Sequence, residues 1–166
     1  MSNNNYSIHS IIAAYGLGIA PHGYYLIKMM ANANGQSSNI LPRENLTNLK
    51  GKISSQVWDK LARARGAHLN ALEGIPMFAA AMVDLCLKGL SANLYQLAGN
   101  LAKLPSKDLN YMAIDYLAAR VLYTAVYMGV KSELGSYLRT GIWAWSISIP
   151  IWVLVRAGNA INEGDL

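Results

Sequence analysis

The chain has 166 residues, of which 53% are hydrophobic and 14% charged, whereas a soluble domain carries about 25% charged residues. That balance excludes a disordered or low-complexity chain and argues against an ordinary water-soluble globule of one domain. The formal net charge of +5 fits cytoplasmic loop charge and anionic lipid headgroups better than a nucleic-acid partner, and none is expected.

A membrane helix needs about 20 mainly apolar residues, and four segments meet that need. The first is 8–30, whose only formal charge is Lys28 near its end. It does not read as a cleavable signal, because no basic stretch precedes it and it contains His9 and His22. The second is 67–87, the third 109–130 and the fourth 138–155. The connection 31–66 is long, polar and rich in Asn, Ser and Lys. Residues 88–108 include the amphipathic run LSANLYQLAGNLAKL, expected as a surface helix. No internal repeat is found. The expectation is a single all-α domain over 1–166, an integral membrane four-helix bundle. Ten Tyr and four Trp against one Phe suit membrane interfaces; Trp143, Trp145 and Trp152 read as lipid-facing or interface anchors. Cys86 alone excludes an internal disulfide, and three scattered histidines give no metal-ligand spacing.

Lys and Arg placement sets the orientation. Lys28, Arg43, Lys50, Lys52, Lys60, Arg63, Arg65, Lys131 and Arg139 fall on one side; Lys88, Lys103, Lys107 and Arg156 fall on the other. The connections 31–66 and 131–138 are therefore expected in the cytoplasm and both termini on the opposite face.

Ionisable groups inside membrane spans are costly and usually face a bundle interior or cavity. Here they are Glu73 and Asp84 in the second span, with the polar Asn70, and Asp115 and Arg120 in the third; Arg139 opens the fourth. At 100° per residue, Arg63, Asn70, Glu73 and Asp84 lie within about 60° of Gly66 on one stripe, provided the helix extends back through Arg63. Tyr116, Tyr123 and Tyr127 lie within about 60° of Arg120, while Asp115 points elsewhere. Two such stripes on adjacent helices can line one cavity and bind a small zwitterion through charge-assisted hydrogen bonds. Each group also has a structural reading. Asn70 and Glu73 can tie helices together, Arg120 can pair with Glu73 or Asp115, and the tyrosines can pack. Asp84 is as readily structural as functional, and His68, on another face, reads as structural.

The run RARGAHLNALEGIPMF, residues 63–78, resembles the second-helix signature of the membrane-associated proteins in eicosanoid and glutathione metabolism, the MAPEG family, and its AHLN..E core resembles the microsomal glutathione transferases. ARVLYTAVYMG, residues 119–129, is similar to the third-helix signature, and LRTGIWA, residues 138–144, to the start of the fourth. LPREN, residues 41–45, looks like the first-loop pattern of fungal members. The resemblance implies a homotrimer in the endoplasmic reticulum membrane, with glutathione bound between subunits and a lipophilic small-molecule substrate. It carries over Asn70 and Glu73 as the second-helix ligand pair and Arg120, Tyr123 and Tyr127 as third-helix contacts. Arg139 matches the catalytic Arg, with Tyr127 as a second donor to the thiolate. Arg63, Arg120 and Arg43 are expected to hold glutathione carboxylates; Tyr116 and Asp84 are candidates on the substrate side. One position departs from the pattern: many glutathione-using members have Arg four residues before the Asn, and here that residue is Gly66. Three functions follow from the resemblance. One is a glutathione transferase or peroxidase acting on lipophilic electrophiles. The others are an isomerase or cyclase of an apolar metabolite, with or without glutathione, and a non-catalytic lipid-presenting protein.

Overall fold

The computed structural model describes residues 4–82 and 104–162. These form five α-helices and, among the described residues, no strand: α1 (Ser7–Asn32), α2 (Asn45–Asn48), α3 (Ser55–Met82), α4 (Ser106–Gly129) and α5 (Glu133–Asn162). Asp84, Cys86 and most of the amphipathic run after the second span lie outside the described residues. The four long helices have 26, 28, 24 and 30 residues, or about 36–45 Å at 1.5 Å per residue.

Local chemistry sets the helix ends. Asn34 and Gly35 take positive φ, 45° and 76°, the left-handed conformation that commonly stops a helix. Ser54 caps α3: its carbonyl accepts from Val57 and Trp58, and its Oγ from the Val57 N–H at 3.4 Å. The helix thus begins at Ser55, well before the second apolar span, and does run back through Arg63. Ser132 Oγ accepts from Gly135 N–H at 3.2 Å and caps α5, which leaves three residues between α4 and α5 and forces an antiparallel turn. Asp108, in the first turn of α4 where the helix dipole favours an acid, accepts from Arg156 Nη1 at 3.0 Å and ties α4 to the far end of α5.

The helices α3 and α4 form the centre. Each packs against both α1 and α5, while α1 and α5 lie on opposite sides. Small residues allow the tight α1–α3 approach: a Cβ on Gly18 would lie 3.3 Å from the Ala71 Cβ, and Ala64 and Ala67 are fully buried. Two apolar clusters sit at the ends. One joins Phe78, Met82, Leu109, Met112, Ile149 and Val153. The other joins Tyr25, Met29, Leu61 and Ala64 to Leu46 and Leu49 of the first connection.

That connection is therefore docked, not a loose polar loop. Asn45 is buried, with Oδ1 accepting from Ser38 N–H at 2.8 Å and Nδ2 donating to Ser38 O at 2.9 Å. Trp58 Nε1 donates to Leu46 O at 2.8 Å and fastens the connection to α3. The sequence shows only its polar residues; the two leucines that anchor it are too few to make a periodic signal.

Among the described residues, one segment, Glu133–Ala160 of α5, is long and apolar enough to cross a membrane by length and composition, with a mean hydropathy of 1.4 over its most apolar 18 residues. Four such segments were expected. In α1 the run Pro21–Tyr25 has no aliphatic residue, and α3 and α4 carry the charged and tyrosine stripes. Large apolar side chains are nevertheless exposed on every long helix, among them Ile12 and Ile27 of α1, Leu69 of α3, Ile114 of α4, and Ile151 and Trp152 of α5. Continuous exposure of this kind marks a surface meant for lipid or protein.

Leu49 is 1% exposed, so Leu49→Ala leaves a void beneath the connection. Loss of a buried leucine side chain costs about 2–5 kcal/mol. The expected result is a lower unfolding midpoint in detergent and faster proteolytic cleavage between residues 34 and 54, with the start of α3 released from Leu46.

Candidate functional site

Between the two apolar clusters, α3 and α4 face each other through polar residues in antiparallel register. Going inward from the end at the first connection, Arg63 meets Met128, Gly66 meets Tyr127, Asn70 meets Arg120, and Gly74 meets Tyr116. The two stripes expected from helical periodicity thus lie on one interface. It is closed on the third side by Trp143, Ser146, Ile147 and Pro150 of α5.

Arg120 is 5% exposed. Its Nη2 donates to Asn70 Oδ1 at 3.1 Å, and its guanidinium lies 5.0 Å from the centre of the Tyr123 ring. No ion pair closes between Arg120 and Glu73 or Asp115; among the described residues the ion pair is Arg156–Asp108. The structural ion-pair reading of Arg120 is therefore replaced by an amide and a ring face, which satisfy the donor without neutralising the charge. Glu73 is exposed at the edge of the interface, and Asp115 faces outward.

Tyr127 lies against the backbone of α3 at Gly66. A Cβ there would come within 2.9 Å of the Tyr127 Cε1 and Cζ, and closer to its hydroxyl. Only glycine admits the ring in this position. The space that the missing side chain leaves is filled by Tyr127, so it is not open for Arg63. Arg63 instead donates from Nε to Met128 O at 3.2 Å. It lines an outer cleft with Gln56, Asp59, Lys60 and Lys131, of about 310 Å³. The Arg139 guanidinium sits 4.6 Å from the centre of the Tyr127 ring, and Tyr127 and Tyr123 are 5.6 Å apart between ring centres. Gly66, Tyr127 and Arg139 thus join α3, α4 and α5 at one point.

Deeper in the bundle, Asn70, Glu73, Gly74, Tyr116, Arg120 and α5 enclose a cavity of about 100 Å³. Tyr116 is stacked flat on Phe78, with 3.9 Å between ring centres, and is 2% exposed. Its hydroxyl has no hydrogen-bond partner among the described residues. An unpaired buried hydroxyl costs about 1–3 kcal/mol. Pro150 has no N–H to give the Ser146 carbonyl, and Ser146 Oγ donates to Trp143 O at 2.8 Å.

The expected site residues Arg63, Asn70, Glu73, Tyr116, Arg120, Tyr123, Tyr127 and Arg139 fall on this interface or at its mouth. Arg43 does not; it is exposed on the turn before α2 and lines neither cavity. Asp84 lies outside the described residues. Trp143 was read as an anchor but lines the inner cavity. Gly74, Ser146 and Pro150 were not singled out, since none carries a charge or a spacing signal. His68, read as structural, bonds Gly18 O through Nδ1 at 2.8 Å and stacks on His22 at 4.6 Å, partners that the sequence does not reveal.

The sequence matches the MAPEG family over residues 10–159, which includes every residue placed on this interface. No curated protein and no solved structure matches the chain. The family match covers most of the chain, so the chain belongs to the MAPEG family, a family of membrane helical bundles that includes glutathione transferases and isomerases.

If Gly66 exists to seat Tyr127, Gly66→Ala forces the ring away from α3. Overpacking of this kind costs about 1–3 kcal/mol, read as a lower unfolding midpoint. The same change in a Tyr127→Leu background, where the obstructing ring is gone, is expected to cost almost nothing. Equal costs in both backgrounds would separate the glycine from the tyrosine.

Proposed function

We propose that this member of the MAPEG family is a membrane-bound glutathione transferase or peroxidase, in which Arg139 stabilises a thiolate for reaction with a lipophilic electrophile. The observation that carries the reading is the position of Arg139. Its guanidinium rests on Tyr127 at the mouth of the α3–α4 interface, with no carboxylate partner among the described residues.

The donor set fits glutathione, which has two carboxylates and one ammonium. Arg63, Arg120 and Arg139 offer three guanidinium groups that form no ion pair among the described residues, and Glu73 offers one exposed carboxylate. Arg63 and Arg120 hold carboxylates, Asn70 accepts or donates beside them, and Glu73 takes the ammonium. When bound, glutathione supplies the thiol, which titrates near ~8.5 when free. Arg139 favours the charged form at neutral pH by its fixed positive charge, and Tyr127 offers a hydroxyl beside it. Tyr123 carries Arg120 on its ring face and fixes its position. Holding thiol and electrophile together lowers the barrier by proximity.

One observation favours a second reading. Tyr127 occupies the place at Gly66 where many glutathione-using relatives are expected to have Arg. An isomerase or cyclase that reuses the interface for an apolar metabolite, with or without glutathione, would tolerate that exchange. Tyr116 and Tyr123 are then its acid–base groups, with Arg139 a fixed positive charge beside them.

The exposed apolar faces of the long helices support four membrane-crossing helices, and the family resemblance implies a homotrimer in the endoplasmic reticulum membrane. The charge count supports a cytoplasmic location for 31–66 and 131–138.

Calorimetry of the detergent-purified protein with glutathione, with thiolate absorbance followed in parallel, tests the function. The transferase reading expects saturable binding and a thiolate signal. Arg139→Ala is expected to abolish that signal and to lower thiol conjugation about 10²–10³-fold, the usual effect of removing one anion-stabilising donor. Binding without a thiolate signal, or conjugation unchanged in the variant, would remove Arg139 from the chemistry. Native mass measurement in mild detergent is expected to give three copies of the chain, and labelling of intact vesicles to reach residue 34 from the cytoplasmic side. A stable monomer or the reverse labelling pattern would overturn these assignments.

A further inference from the structure

The inner cavity contains a donor that the thiol chemistry does not use. The Tyr116 hydroxyl is buried and without a hydrogen-bond partner among the described residues, although its ring is held rigidly on Phe78. Gly74 makes the room: a Cβ there would lie 3.0 Å from the Tyr116 oxygen and 3.8 Å from Arg120 Nη1. The hydroxyl and the guanidinium therefore both flank Gly74 on the wall of one cavity, and a side chain there would crowd them. Arg120 Nη2 is committed to Asn70, while Nη1 lies on the Tyr116 side.

The other walls limit what can sit there. Glu73 lines the same cavity; although it forms no ion pair with Arg120, its carboxylate repels an anionic group placed beside the Tyr116 hydroxyl. A neutral acceptor takes both donors without that repulsion. Trp143, Ile147, Pro150 and the Tyr116 ring supply apolar surface. The volume of about 100 Å³ holds roughly three waters at about 30 Å³ each, enough for a carbonyl group and the carbons beside it. Trp143 is 39% exposed, which puts the mouth of the cavity at the outer surface between α3 and α5, open to the rest of an apolar ligand.

We infer that Tyr116 and Arg120, across Gly74, form a seat for the neutral carbonyl oxygen of an apolar ligand. A ketone, aldehyde or enone enters oxygen first, and its chain leaves past Trp143. Donors placed on a carbonyl oxygen also stabilise negative charge that develops there. The seat therefore serves a thiolate acceptor or an isomerised carbonyl compound alike, and it goes beyond the choice between those two functions.

The test uses the full-length protein in lipid nanodiscs without glutathione, with undecan-2-one carrying ¹³C at the carbonyl as probe. Isotope-edited infrared spectra distinguish a hydrogen-bonded carbonyl, which absorbs at lower frequency, from ketone dissolved in lipid. The expected result is a shifted band that saturates at one ketone per chain and disappears in Tyr116→Phe, whose ring keeps the Phe78 stack. Gly74→Ala provides a second variant: it leaves the tyrosine intact but sets a methyl group against its oxygen, and it is expected to remove the band as well. A lipid-like band alone in the wild type overturns the inference, as does a shifted band that persists in either variant. A hydroxyl satisfied only by water gives one of these overturning results. Because glutathione is absent, none of the outcomes bears on Arg139 and the thiolate.

Discussion

A guanidinium held inside an apolar bundle is the constraint on which the rest of the structure depends. Arg120 is nearly inaccessible, and a charge in such a place is costly unless it is well supported. Its support comes from Asn70 on α3 and the ring of Tyr123 one turn along α4. Neither partner carries a negative charge. A carboxylate would have closed the site as a salt bridge; the amide takes one N–H and the ring face lies beside the guanidinium, which leaves a donor and the positive charge available to a ligand. The same bond fixes the α3–α4 register, because Asn70 must stand opposite Arg120. With that register set, Gly66 faces Tyr127 and Gly74 faces Tyr116, and each aromatic residue takes its place over a glycine.

The two glycines work in different ways. At Gly66 the space is filled by Tyr127, which becomes a platform for Arg139 arriving from α5. At Gly74 the space stays open and becomes part of the inner cavity. Small residues in membrane bundles usually serve close packing of backbones, as Gly18 does against Ala71. On this face they instead determine where aromatic rings and cations stand.

Much of this was legible in the sequence, for identifiable reasons. Helical periodicity requires Arg63, Asn70 and Glu73 to share a face, and likewise Arg120 with its tyrosines; helices in adjacent, antiparallel positions then bring the stripes together. The start of α3 was less clear, because a capping serine at residue 54 carries less signal than twenty apolar residues. The docked first connection was hidden for a similar reason, since Leu46 and Leu49 sit in a run of Asn, Lys and Thr. Trp143, read as an anchor, is exposed and also forms a cavity wall; tryptophan suits both, and only the rotation of α5 shows that it reaches the cavity. Asn70 as the partner of Arg120 in place of Glu73 depends on a difference of one helical turn, which charge complementarity alone would have settled the other way.

The exchange at Gly66 also moves charge along the site. An arginine at that position would stand one turn from Asn70, beside Arg120. Here the neighbouring cation on α3 is Arg63, one turn further out, held by the Met128 carbonyl and sharing the outer cleft with Asp59, Lys60 and Lys131. Positive charge is thus displaced from the middle of the interface toward its mouth, and the middle becomes aromatic. A ligand drawn in by its anionic groups meets them at the outer cleft. Beyond the Tyr127 platform it meets rings, one amide and the supported guanidinium of Arg120. Such a gradient suits a reaction in which the charged partner stays near the aqueous end and an uncharged one occupies the inner cavity. Under the proposed thiol chemistry the two would meet beside Arg139, the cation from α5 that stands over the boundary between them.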